Sequence, residues 1–143
     1  MFNFIDYYLN YTAEAESPTE FWKWSAIATL SAILKNNVFI EYSIGSVFPN
    51  LYVILYSDSG VARKAAPCKF AGKLIQLIGN TKFISGRASM QAVVRELAQT
   101  HATEKGIISE ATGILYSEEL SAFAVRDPAT IPLLTDLYDP HEN

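Results

Sequence analysis

Apolar and polar positions follow two different rhythms along this chain, and the rhythm changes several times. Phe2 to Thr12 is aromatic and predicts a short helix. Ala13 to Pro18 is a polar connector. Ser17 followed by Pro18 is a helix-start signal, a hydroxyl cap before a residue that lacks a first-turn N–H. Glu20 stands at capping-box spacing from Ser17. The helix should run to about Lys35, with Trp24, Ile27, Leu30 and Leu34 on one broad face, and Asn36-Asn37 should stop it. Val38 to Ile44 alternates as a strand does, with Val38, Ile40 and Tyr42 on one face and Phe39 on the other. Gly45-Ser46 and Pro49-Asn50 punctuate as loops. Leu51 to Tyr56 is apolar nearly throughout, which fits a strand covered on both faces, as in a parallel sheet.

Ser57 to Ala62 reads as a small polar turn. A helix is expected from about Lys64 to Ile78, tolerating Pro67 in its first turn and ending at Gly79-Asn80. Lys82 to Ser85 reads as a short strand. Ser89 to Thr100 reads as a helix with Met90, Val93, Val94 and Leu97 on one face. Ile107-Ile108 suits a short strand, and Gly113 to Tyr116 another. Glu118 to Val125 reads as helix, broken at Asp127-Pro128, before a last helix from about Ile131 to Tyr138. Strands alternating with helices imply right-handed crossovers and a parallel sheet. The chain closes on Pro140-His141-Glu142-Asn143 without a final strand, so the expectation is an N-terminal fragment whose sheet is incomplete at the C-terminus.

Composition narrows the class. A length of 143 residues suits one domain with a small helical preface. Half the residues are hydrophobic, enough for a buried core, which excludes a disordered tail or a coiled coil as the main body. The formal charge is −4 and no basic stripe is visible, which argues against a stand-alone nucleic-acid binder driven by phosphate neutralisation. Cys68 is the single cysteine, so no intramolecular disulfide forms, and a reducing compartment is suited. The N-terminus carries no basic n-region and no small-residue cleavage site. The longest apolar run, residues 25 to 34, is shorter than the roughly 20 residues a bilayer span needs. A soluble cytoplasmic protein without membrane contact is expected.

The candidate chemistry lies after the apolar run 51–56. Strand, small-residue loop, lysine and helix start is the plan of a P-loop, in which successive backbone N–H groups surround phosphate oxygens and the helix dipole adds positive potential. Ser59, Gly60, Val61, Ala62, Arg63, Lys64 and Ala65 are the candidate nucleotide-binding residues, with Lys64 reaching the β- and γ-phosphates. The match to G-x-x-x-x-G-K-[ST] is partial. Asp58 stands at the first glycine, Arg63 at the second and Ala65 at the hydroxyl position. A second candidate is Ile114-Leu115-Tyr116-Ser117-Glu118-Glu119, an apolar strand ending in acids. Glu118 would hold Mg²⁺ through water and Glu119 would act as general base on the attacking water.

Plainer readings stand beside these. Gly60 and Lys64 also fit an ordinary strand-to-helix turn with a solvated lysine. Glu118 and Glu119 also fit charges placed at a helix N-terminus. Arg63 could equally pair with a surface carboxylate, contact phosphate or reach a neighbouring subunit. Arg87 and Ser89 are candidate phosphate or partner contacts, with Ser89 better read as a helix cap. Arg126-Asp127 reads as a local ion pair. His101 and His141 lack ligand-spaced partners, which argues against a metal site of their own. Cys68, one turn into a helix, reads as a packed core cysteine rather than an activated thiol. Trp22 and Trp24 read as packing residues rather than base-stacking platforms.

Three blocks together resemble a known family: Pro49-Asn50-Leu51-Tyr52-Val53-Ile54-Leu55, Ser59-Gly60-Val61-Ala62-Arg63-Lys64, and Tyr116-Ser117-Glu118-Glu119-Leu120-Ser121-Ala122-Phe123. They look like the P-loop ATPases of phages, plasmids and mobile elements that often follow primase-polymerase domains and are related to RecA/DnaB-type helicases. Leu134-Thr135-Asp136-Leu137-Tyr138-Asp139 resembles a further block of that family, so the likeness runs from about Phe21 to Asp139. The resemblance implies a RecA-like α/β P-loop NTPase with a parallel sheet, a helical N-terminal segment over residues 1–36 and a partial core over 37–143. It implies ATP and Mg²⁺ as cofactors, Lys64 and Glu119 as catalytic residues, and hydrolysis coupled to DNA replication or unwinding. It also implies a ring-forming homo-oligomer, a neighbour's arginine completing the site, and DNA engaged through the full-length protein or the oligomer. This chain departs from the family where Ala65-Ala66 replaces Ser-Thr, removing a direct Mg²⁺ ligand, and where Asp58 replaces a proline before the loop. Two alternatives therefore remain: a degenerate, non-hydrolysing module that binds nucleotide or a partner as a scaffold, and a small α/β protein with no nucleotide.

Overall fold

The computed structural model describes residues 2–43, 45–79, 81–85, 89–103, 106–110, 112–119 and 128–138. The chain divides into two compact units, Met1–Thr81 and Lys82–Asn143. In the first, α1 (Phe4–Tyr11), α2 (Thr19–Leu34) and α3 (Ala65–Ile78) form a helical layer in which α2 packs against both of the others. Asn3 caps α1, its side-chain oxygen accepting from Ile5 N–H at 3.1 Å. α2 starts at Thr19 with Pro18 as N-cap, and the Pro18 carbonyl accepts from Phe21 N–H at 2.9 Å. Ser17, expected as the cap, directs its hydroxyl elsewhere. α3 tolerates Pro67 in its first turn and ends at Gly79, whose φ of 77° forms a left-handed C-cap with its N–H on the Ile75 carbonyl.

The buried face of α2 is not the one expected from its large residues. Trp22, Ser25, Ala26, Thr29 and Ala32 are buried, whereas Trp24 and Leu34 are exposed. Small residues let α1 and α3 approach closely, and the two hydroxyls are satisfied locally. Ser25 Oγ donates to the Trp22 carbonyl at 2.8 Å, and Thr29 Oγ1 donates to the Ser25 carbonyl at 2.8 Å. With that proton committed, Tyr8 OH is the donor to Ser25 Oγ at 2.9 Å. Phe70 of α3 closes this core: its ring meets Tyr8 at 5.2 Å and Trp22 at 5.9 Å, both edge-on, and stacks on Tyr11 at 5.7 Å.

After α2 comes a 3₁₀ turn (Lys35–Asn37), then a short antiparallel hairpin of β1 (Ile40–Tyr42) and β2 (Gly45–Val47), with Ile40 opposite Val47. Gly45-Ser46 is thus strand rather than loop. Residues 51–58 carry no regular secondary structure, contrary to the expected central strand. A parallel strand needs a ladder partner, and the strands described in this unit, β1 and β2, pair with each other. Leu51, Tyr52, Ile54 and Tyr56 are exposed as a result.

The second unit contains the parallel pair. β3 (Phe83–Ser85) and β6 (Ile114–Tyr116) run side by side, with Phe83, Ile84 and Ser85 opposite Ile114, Leu115 and Tyr116. Between them come α4 (Met90–Leu97) and a hairpin of β4 (Gln99–Thr103) with β5 (Gly106–Glu110). α4 ends before the expected Thr100, which instead pairs in β4 with Ser109. Ser89 caps α4, its hydroxyl accepting from Ala92 N–H at 3.3 Å. Ile84 and Val93 are buried, with Leu97, Leu115 and, from α5 (Thr130–Tyr138), Leu133 and Leu134 against them. Gly113 permits a close approach: a Cβ there would lie 2.8 Å from Leu97 Cδ2 and 3.3 Å from Lys82 Cβ. Ser117 to Glu119 are not helical, and the rest of the helix expected over 118–125 lies outside the described residues, as do Asn80, Arg87, Arg126, Asp127, Asp139 and His141.

Candidate functional site

The loop from Ser57 to Lys64 is held shut by its own lysine. Lys64 Nζ donates to the Ser57 carbonyl at 2.8 Å, bridging the start of the loop to its end. Within it, Val61 N–H reaches the Asp58 carbonyl at 3.4 Å, a turn whose third residue, Gly60, has φ of 79°. That position of a type II turn requires a positive φ, which glycine adopts without steric cost. Asp58, Ser59, Gly60 and Val61 are exposed, and Ala62 is buried beneath them. Arg63 also sits at positive φ, 39°, where a side chain is disfavoured. Its carbonyl accepts from Ala66 N–H at 2.9 Å and from Ser17 Oγ at 3.0 Å, and its guanidinium pairs with Glu16. α3 then begins at Ala65 with no side-chain cap.

This arrangement can present backbone N–H groups, a lysine and a helix start to an anion. Ala65 and Ala66 supply no side-chain oxygen to ligate a cation at this loop. Lys64 commits one N–H of its ammonium to the Ser57 carbonyl, and an ammonium carries three such donors, so the same group can hold the loop and a phosphate together. Cys68, in the first turn of α3, is partly buried, and burial pushes its thiol pKa up. An activated thiolate is the opposite case, which agrees with a packed cysteine.

Glu118 and Glu119 belong to the second unit, just past β6. Both are exposed. Tyr116 OH donates to Glu118 Oε1 at 3.4 Å, and the Tyr116 ring lies 5.8 Å from that of Phe83 on β3. Ser117 Oγ donates to the Glu119 carbonyl at 2.9 Å. The parallel β3–β6 pair therefore carries two adjacent acids just beyond its C-terminal end. Among the described residues no group of three or more His, Cys, Asp or Glu could hold a metal. No described helix is long and apolar enough to cross a membrane.

The contacts that sequence reasoning missed are those of Glu16 and Ser17. They stand 47 and 46 positions from Arg63, and nothing local in the sequence signals such a pairing. A cavity of about 260 Å³ also lies in the first unit, bordered by Leu9, Asn10, Thr12, Ser17 and Trp22, but none of residues 57–65 line it. Comparison with models of known protein families, with curated proteins and with solved structures gives no match.

Proposed function

We propose that this chain is an ATP-binding P-loop domain of RecA-like type, serving a helicase-like replication protein of a mobile genetic element. The observation that supports it best is the closed loop: Lys64 returns to Ser57 around a left-handed Gly60, directly before an uncapped helix start. In this reading the amides of residues 59–62 and the Lys64 ammonium hold the phosphates. Glu118 would be the carboxylate for Mg²⁺ and Glu119 the general base, the roles the acids after an apolar strand take in such enzymes. Bound ATP with Mg²⁺ supplies the phosphoanhydride and the charge neutralisation; the chain supplies position and field. DNA and a ring of copies belong to the same proposal, through the longer protein or its oligomer.

Ala65 favours a second reading, a module that binds nucleotide without turnover, because the hydroxyl that ligates Mg²⁺ directly is missing. Titration calorimetry and phosphate release separate the two. Lys64→Ala is expected to weaken ATP binding by about 10-fold or more, the scale of a charge-assisted hydrogen bond. Binding without phosphate release, with release gained in Ala65→Ser, supports the second reading. No heat and no thermal shift with ATP and Mg²⁺ in the wild-type chain would sink both.

A further inference from the structure

We propose that the connector of residues 13–18 is a positioning strap for the phosphate loop, acting through Arg63; this rests on the loop reading above. Three observations meet at that residue. Its backbone is left-handed at φ 39°, a conformation that a side chain disfavours. The Ser17 hydroxyl, itself buried, donates to its carbonyl at 3.0 Å. The Glu16 carboxylate pairs with its guanidinium. Ser17 thus fixes the backbone where the loop enters α3, and Glu16 occupies the cation that a phosphate would otherwise attract. The connector leads directly into α2, which shares the Tyr8–Trp22–Phe70 core with α3. The strap is therefore anchored to the same helical layer that carries the loop.

The two contacts act in opposite directions on an anion. Ser17 holds the loop in shape, so its loss loosens the site. Glu16 competes for Arg63, so its loss frees a charge for the ligand. Amide exchange on the 143-residue chain reads the first effect without any nucleotide. The reporters are Val61, whose N–H closes the Gly60 turn on Asp58, and Ala66, whose N–H donates to the Arg63 carbonyl that Ser17 also holds. Ser17→Ala should speed both by about five-fold or more, the scale of one net hydrogen bond, while Tyr8 and Ala26 in the core change less than about two-fold. Unchanged exchange at Val61 and Ala66 overturns the strap.

Inorganic tripolyphosphate reads the second effect. Glu16→Gln is at an exposed position and should fold normally. It should tighten tripolyphosphate binding by about two- to five-fold, within the range of exposed ion pairs. Glu14→Gln removes the same charge from the same connector and controls for the general field, so it should change binding by less than half as much. Equal effects of the two variants overturn the Glu16 role. If the wild-type chain binds no tripolyphosphate, the loop reading itself fails, and the exchange result alone then decides whether the connector positions residues 57–66.

Discussion

At the scale of single residues, burial and pairing decide what each polar group does. Trp22 fills the helical core, yet its buried indole N–H meets no hydrogen-bond partner among the described residues. Its stabilising effect therefore comes from the ring alone. Trp22→Phe keeps an aromatic ring and removes a desolvated donor, so chemical denaturation should show a loss of less than about 1.5 kcal/mol, whereas Trp22→Ala should cost about 3–5 kcal/mol. A Trp22→Phe loss well above that figure would mean that the indole N–H is satisfied in solution. Tyr8 in the same core has its pKa pushed up, chiefly by burial; the Ser25 hydrogen bond opposes this and the nearby Cys68 adds to it. Arg63 shows how residue-level reading can stop short. The sequence offered a carboxylate, a phosphate or a neighbouring subunit as its partner, and only the fold brings Glu16 within reach.

At the scale of elements, the helices were legible where a cap or a breaker marks their ends. Pro67 in the first turn and left-handed Gly79 at the end bound α3 as expected, and Ser89 starts α4. The inner face of α2 was not legible, because a helix apolar on nearly every side gives periodicity nothing to distinguish. Close packing chose Ala26 and Thr29 over Leu34. Gly113 is the corresponding small residue of the second unit, set between Leu97 of α4 and Lys82 before β3. A methyl group there must displace the Leu97 side chain. Gly113→Ala is expected to destabilise the β3–β6 unit by about 1–3 kcal/mol, visible as faster amide exchange at Ile114, whose N–H reaches the Lys82 carbonyl at 2.7 Å. Gly113→Ala with exchange unchanged at Ile114 would show that Leu97 moves aside without cost.

At the scale of the whole molecule, the segment from Val38 to Tyr56 exposes an unusual amount of apolar surface: Ile40 and Ile54 are each 68% exposed and Tyr56 is 84% exposed. Exposed apolar stretches of this kind bind hydrophobic probes. The chain should enhance anilinonaphthalene sulfonate fluorescence, and Ile54→Lys should reduce it; fluorescence no higher than that of a well-packed domain would contradict the exposure. The same segment separates what the two levels of description decide. Local chemistry determined the helix borders at Gly79 and Ser89, the turn at Gly60 and the acids that follow Tyr116, because caps, positive φ and charge placement act within a few residues. Only the tertiary structure decided that Leu51 to Tyr56 lies outside a sheet, that α2 turns its small residues inward, and that Ser17 and Glu16 hold Arg63. Strand pairing, helix-to-helix approach and contacts between distant segments depend on which surfaces meet, and hydrophobic pattern along the chain does not encode that choice.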